Sequence, residues 1–187
     1  MRLFIAINLP DDERRAIRDA TAGVRGAAPD VSWTAERHLH LTLKFLGTVP
    51  DEGVAPLRDA LHAVASSHRA PRLELGDVGA FPNLRAPRIV WLGIAQDVRL
   101  ELLQHDIESA CEVLGYEVEG RPFRPHITLG RVRRPLSRDA ARALADAARP
   151  VTYTGTVEPA TVDLMQSQLT PAGPKYTVMA ALPFGGR

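Results

Sequence analysis

The chain has 187 residues, 45% hydrophobic and 24% charged, which suits one compact domain or two packed lobes and excludes general disorder. Its 23 basic and 22 acidic side chains leave a net charge of +1, so no chain-wide basic surface advertises a polyanionic partner, and any attraction to an anion must be local. A single cysteine, Cys111, excludes an intramolecular disulfide and a cysteine-only zinc site, and reads as a small core residue.

In chain order, Met1 to Pro10 is apolar but too short for a membrane span, and it lacks a signal cleavage pattern. It reads as a buried first strand, and the protein is expected to be cytoplasmic, without membrane contact. Asp11 or Asp12 can cap a helix to about Gly26 with Ile17, Ala20 and Val24 on one face. A strand from Leu39 to Leu46 stops at Gly47. A helix from Asp51 to His68 then repeats Val54, Leu57, Leu61 and Val64 at helical spacing.

Two strands follow, Arg72 to Val78 and Arg88 to Ile94, joined through Phe81-Pro82-Asn83. Leu100, Leu103, Ile107, Cys111 and Leu114 line the helix from Asp97 to Leu114. A strand covers His126 to Val132, and an alanine-rich helix spans Ser137 to Arg149, ended by Pro150. Three strands complete the chain: Thr152–Val157, Thr161–Gln168 and Tyr176–Leu182, the last two joined by Pro171-Ala172-Gly173-Pro174. The pattern is α+β, with antiparallel sheets and helices packed outside. A faint twofold repetition suggests one bilobal domain over residues 1–187, its two lobes facing across a cleft.

The chemistry is carried by His40-Leu41-Thr42-Leu43-Lys44 and His126-Ile127-Thr128-Leu129. On a strand, successive side chains alternate faces, so Leu39, Leu41, Leu43 and Phe45 go inward while His40, Thr42 and Lys44 share the outer face. His126 and Thr128 do likewise. By chance this composition yields about 0.04 copies of His-x-Thr-Leu, so two copies stand well above noise. Two imidazoles can act as general base and general acid on a phosphodiester, and the threonine hydroxyls can donate to its non-bridging oxygens. Arg121, Arg124, Arg131, Arg133 and Arg134 surround the second motif with no acid between. Arg124, Arg131 and Lys44 are the candidate phosphate contacts. Trp33, Phe81 and Phe123 are candidates to stack on a base. His62, His68 and His105 read as surface residues.

Two other readings compete. A binding module would keep the cleft and lose turnover. A metal-dependent hydrolase could use His38, His40 and Glu36, but it would leave both threonines and the second motif unexplained.

The segments His40-Leu-Thr-Leu-Lys-Phe-Leu-Gly47 and Arg124-Pro-His-Ile-Thr-Leu-Gly-Arg131 resemble the paired signatures of the two-histidine phosphoesterase superfamily. Within it, the chain is similar to the RNA 2′,3′-cyclic phosphodiesterases, also called 2′-5′ RNA ligases. The resemblance runs from Arg2 through Trp33 to the Tyr176 strand. It implies a bilobal α+β fold with two antiparallel sheets lining a central cleft. It further implies that His40 is the general acid and His126 the general base, with no metal or other cofactor. The implied partner is an RNA or nucleotide with a 2′,3′-cyclic phosphate end, the implied product a 2′-phosphate, and weak reverse ligation is implied as well. A monomer is expected.

Overall fold

A computed structural model describes residues 1–171 and 173–185. Among the described residues, nine strands form one antiparallel sheet. In chain order they are β1 (Arg2–Asn8), β2 (Ser32–Trp33), β3 (His40–Thr48), β4 (Leu73–Phe81), β5 (Ile89–Ile94), β6 (His126–Arg131), β7 (Gly155–Val157), β8 (Thr161–Thr170) and β9 (Gly173–Pro183). The order across the sheet is β7-β4-β5-β6-β3-β1-β8-β9, with β2 paired to β6. The α+β reading holds. The two expected sheets are continuous, and they meet at a seam where β3 and β6 share the registered pair Leu41 and Ile127.

Among the described residues, five α-helices pack outside the sheet: α1 (Asp11–Ala20), α2 (Ala22–Ala27), α3 (Asp51–Ser67), α4 (Val98–Val113) and α5 (Arg138–Ala148). The single helix expected over 11–26 breaks at Thr21. That residue is fully buried, and its hydroxyl donates to Ile17 O at 2.8 Å. Ala20, the last residue of α1, faces solvent, while Ile17 before the break and Val24 after it lie in the core. Asp97 and Ser137 cap α4 and α5 by accepting from Leu100 and Ala140 N–H at 2.9 and 3.1 Å.

Helix α3 packs Leu57, Leu61 and Ala65 toward β8 and β9, and α4 lies against α3 and β3. Helix α2 lies against α5. The core thus sits between helices and the concealed sheet face, where Leu41, Ile127, Leu129 and Cys111 are wholly buried. His68 is less of a surface residue than its helix suggests, since its ring bonds Asp106 at 2.7 Å and ties the end of α3 to α4. Strands β8 and β9 form a longer hairpin than expected, and the predicted turn at residues 171–174 includes Ala172, which lies outside the described residues. Among the described residues, no helix is long and apolar enough to cross a membrane.

Candidate active site

The seam places both motifs side by side on one face. Antiparallel extension of the Leu41–Ile127 register sets His40 toward Thr128 and Thr42 toward His126, across neighbouring strands about 5 Å apart. Leu41, Leu43, Ile127 and Leu129 hold the strands down from the other face, each 4% exposed or less.

Both imidazoles are anchored in the same way. His40 Nδ1 lies 2.7 Å from His38 O, and His126 Nδ1 lies 2.7 Å from Arg124 O. A carbonyl only accepts, so each Nδ1 carries the proton and donates, which leaves Nε2 bare in the neutral ring. Each motif therefore fixes its own tautomer through the carbonyl two residues earlier.

The surroundings differ. His40 is caged by Phe4 at 5.1 Å and by Tyr176, whose ring meets it edge-on at 5.5 Å. Its pKa is lowered to about 4, chiefly by burial, with the bond to the His38 carbonyl raising it and Arg14, His38 and Arg131 adding to the lowering. His126 meets Phe81 at 5.0 Å, the two ring planes nearly perpendicular. Its pKa is also lowered, first by burial and then by Arg131, while the bond to Arg124 O raises it. Both rings are thus biased toward the neutral form before any anion arrives.

Two cavities flank the motifs and share Thr42, Phe45, Thr128 and Arg131. The smaller, about 190 Å³, holds His40 and Tyr176. The larger, about 490 Å³, holds His126, Phe81, Phe123, Arg121 and Arg124. Arg124 and Arg131 are thus brought to the cleft, Arg131 to both halves of it. Phe81 and Phe123 line it too. Trp33 does not: it packs over Gly130, where a Cβ would come within 2.7 Å of its ring, and donates from Nε1 to Ala28 O at 3.1 Å. It serves the scaffold and not a base.

Lys44 is a correction. Thr42 pairs with Ala6 and Lys44 with Ile5, so Leu43 is an extra residue and the strand bulges there. The bulge reverses the alternation. Lys44 turns inward, 2% exposed, and although it borders the larger cavity its Nζ is taken up by Glu108 Oε2 at 2.6 Å and Glu117 O at 2.7 Å. Phe45, expected inside, is 60% exposed at the cleft. The second motif bulges at the equivalent point: Thr128 pairs with Trp91 and Gly130 with Val90, leaving Leu129 extra and Arg131 facing out. Strict alternation missed Phe45, and neither motif carries a local bulge signal. Tyr176 and Phe4 come from distant strands, so their place at His40 was not readable either.

The alternative metal triad does not assemble. Glu36 pairs with Arg18 at 2.8 Å, the His38 ring lies tilted against Tyr176 at 4.8 Å, and His40 Nδ1 is occupied by a carbonyl. Among the described residues, no group of three or more histidine, cysteine or acidic side chains could hold a metal ion. Cys111 is buried, with burial raising its pKa to about 11, as suits a core thiol.

A family model described as the 2′-5′ RNA ligase superfamily matches residues 9–168. A Geobacillus stearothermophilus protein named RNA 2′,3′-cyclic phosphodiesterase is 35% identical over 98% of this chain, which spans 57% of that relative's length. A Methanothermobacter thermautotrophicus protein of the same name is 30% identical over 96% of each chain. Among solved structures, TT0787 of Thermus thermophilus superposes with a TM-score of 0.84 at 30% identity, covering 100% of this chain and 99% of that one. Escherichia coli LigT complexed with 3′-AMP superposes at 0.69 with 30% identity, covering 99% and 98%.

Proposed function

The chain belongs to the 2′-5′ RNA ligase superfamily, and from that premise we propose that it is a phosphodiesterase that hydrolyses RNA 2′,3′-cyclic phosphate ends to 2′-phosphates by paired histidine catalysis. One observation carries the reading: two imidazoles, each with Nδ1 tied to a carbonyl and Nε2 free, flank a cleft that also holds two threonine hydroxyls and Arg131.

His126 Nε2 takes a proton from water as the water oxygen bonds to phosphorus. His40 Nε2–H gives its proton to the departing ribose 3′ oxygen as the P–O3′ bond breaks. Thr42 and Thr128 donate to the non-bridging oxygens, and Arg131 offsets the charge that builds there. The strained five-membered ring lowers the barrier without a metal.

The acid role requires a proton on a histidine whose surroundings disfavour it. A bound diester anion supplies the opposing charge that raises the His40 pKa toward neutrality. The same groups act in the same sense when an RNA 5′-hydroxyl replaces water: His126 takes its proton as O5′ bonds to phosphorus, His40 protonates the departing O3′, and a 2′-5′ linkage results. Both lobes then act as one bilobal domain over residues 1–187, each contributing one histidine.

The test is incubation with excess EDTA and an RNA ending in a 2′,3′-cyclic phosphate, with the product identified by phosphorus NMR. A 2′-phosphate is the expected product. A 3′-phosphate would reverse the bound orientation of the ribose, and turnover that appears only with added metal would overturn the mechanism.

A further inference from the structure

Strands β5 and β6 leave the cleft side by side, and arginines crowd their shared end. Ile89 pairs with Arg131, and Val132 N–H donates to Arg88 O at 2.9 Å, which sets Arg88 beside the continuation of the site's own arginine. The loop before β5 curls around Asn83, whose side-chain oxygen accepts from the Arg85 and Ala86 N–H groups at 2.9 and 3.1 Å. Arg85, Arg88 and Arg133 thereby surround a cavity of about 390 Å³ walled by Pro87, Val132 and Leu136.

No acid lines this cavity, and among the described residues none of its three guanidinium groups takes part in an ion pair. Some arginines elsewhere pair with carboxylates, as at Arg18, Arg58, Arg142 and Arg149, whereas what sets this place apart is three free guanidinium groups around one cavity. Three uncompensated like charges held around one cavity raise the local potential and attract an anion. All three side chains are exposed, so they can reach a ligand without disturbing the core.

We propose that this cavity is a phosphodiester-binding groove that holds the RNA backbone upstream of the cyclic end, so that the protein favours RNA chain ends over cyclic mononucleotides. The inference rests on the hydrolysis reading above and extends it to substrate length. From Arg131 at the cleft to Arg133 is two residues, about 7 Å of extended chain, so a single strand with its end in the cleft passes over the groove. Guanidinium forks suit phosphate oxygens, and the spacing allows one arginine per phosphate or two on one.

The test compares R85A/R88A/R133A with the wild-type chain on 2′,3′-cyclic AMP and on a ten-nucleotide RNA ending in a 2′,3′-cyclic phosphate. For the RNA, kcat/KM should fall at least about tenfold near 0.1 M salt, and for cyclic AMP it should stay within about twofold. Anisotropy of a labelled RNA ending in a 2′-phosphate should show weaker binding, with a log–log salt slope shallower by about two. The triple lysine variant should keep most of the binding. Equal losses on both substrates, or an unchanged RNA affinity and salt slope, would overturn the groove. If the wild type turned over neither substrate, the hydrolysis reading would fail by itself, because the binding slopes still decide the groove.

Discussion

The β3 and β6 motifs share residue types, anchoring and a bulge, yet they sit in different surroundings. Around His40 the neighbours are aromatic and close, from Phe4 on β1 and Tyr176 on β9. Around His126 the ring meets Phe81 nearly at right angles, and the cavity beside it carries Arg121 and Arg124. After the bulge the first motif presents Phe45 to the cleft and the second presents Arg131. A repeated four-residue pattern thus sets which nitrogen is free, while the packing around it sets how readily that nitrogen holds a proton. The difference teaches that acid and base roles are properties of the environment and not of the motif.

The largest expected effect tests what the motifs share. His40→Ala and His126→Ala should each lower kcat by about 10²–10⁴-fold, read in single-turnover assays on a cyclic-phosphate RNA. Near-normal turnover in either would break the equivalence.

Next comes the bulge. Lys44→Ala strips the cation from Glu108, so it should cost about 3–5 kcal/mol in urea unfolding. At a temperature where the variant is folded, kcat should stay within a few-fold. A hundredfold loss of kcat in folded protein would mean that Lys44 acts on the substrate after all.

A third measurement separates the two rings by stability. The His40 pKa is depressed in the fold, so the unfolded chain takes up the proton first and folding is favoured by higher pH. This contribution is fully present above the ordinary histidine pKa of 6.5 and is lost as pH falls from there through about 4. At about 1.4 kcal/mol per unit, it amounts to a few kcal/mol. Unfolding midpoints at pH 7 and pH 4.5 should therefore converge more in His40→Gln than in His126→Gln. Equal convergence would erase the difference in burial.

The finest test concerns charge. A bound diester should raise the His40 pKa, so the alkaline limb of kcat should lie at higher pH than that of kcat/KM, by about a unit. Coincident limbs would mean that substrate does not retune the acid.

Much of this was legible along the chain. Both His-x-Thr-Leu strands, the helices from Asp51 and Asp97, the α+β class and the two histidines follow from local alternation and helical spacing. Such patterns are readable because side-chain direction repeats every two or about 3.6 residues. The break at Thr21 escaped because a buried hydroxyl competing for the Ile17 carbonyl leaves no periodic trace.

The sequence by itself determined which residue types face one another on each strand up to the threonine, and hence which groups could move a proton. Only the tertiary structure decided the rest. Bulges at Leu43 and Leu129 sent Lys44 to Glu108 and brought Phe45 and Arg131 to the cleft. Strands β1 and β9, far apart in sequence, closed Phe4 and Tyr176 over His40. The reason is physical: strand parity is a local property of the backbone, whereas register, burial and the field at a titrating ring come from partners that the chain meets only after it folds.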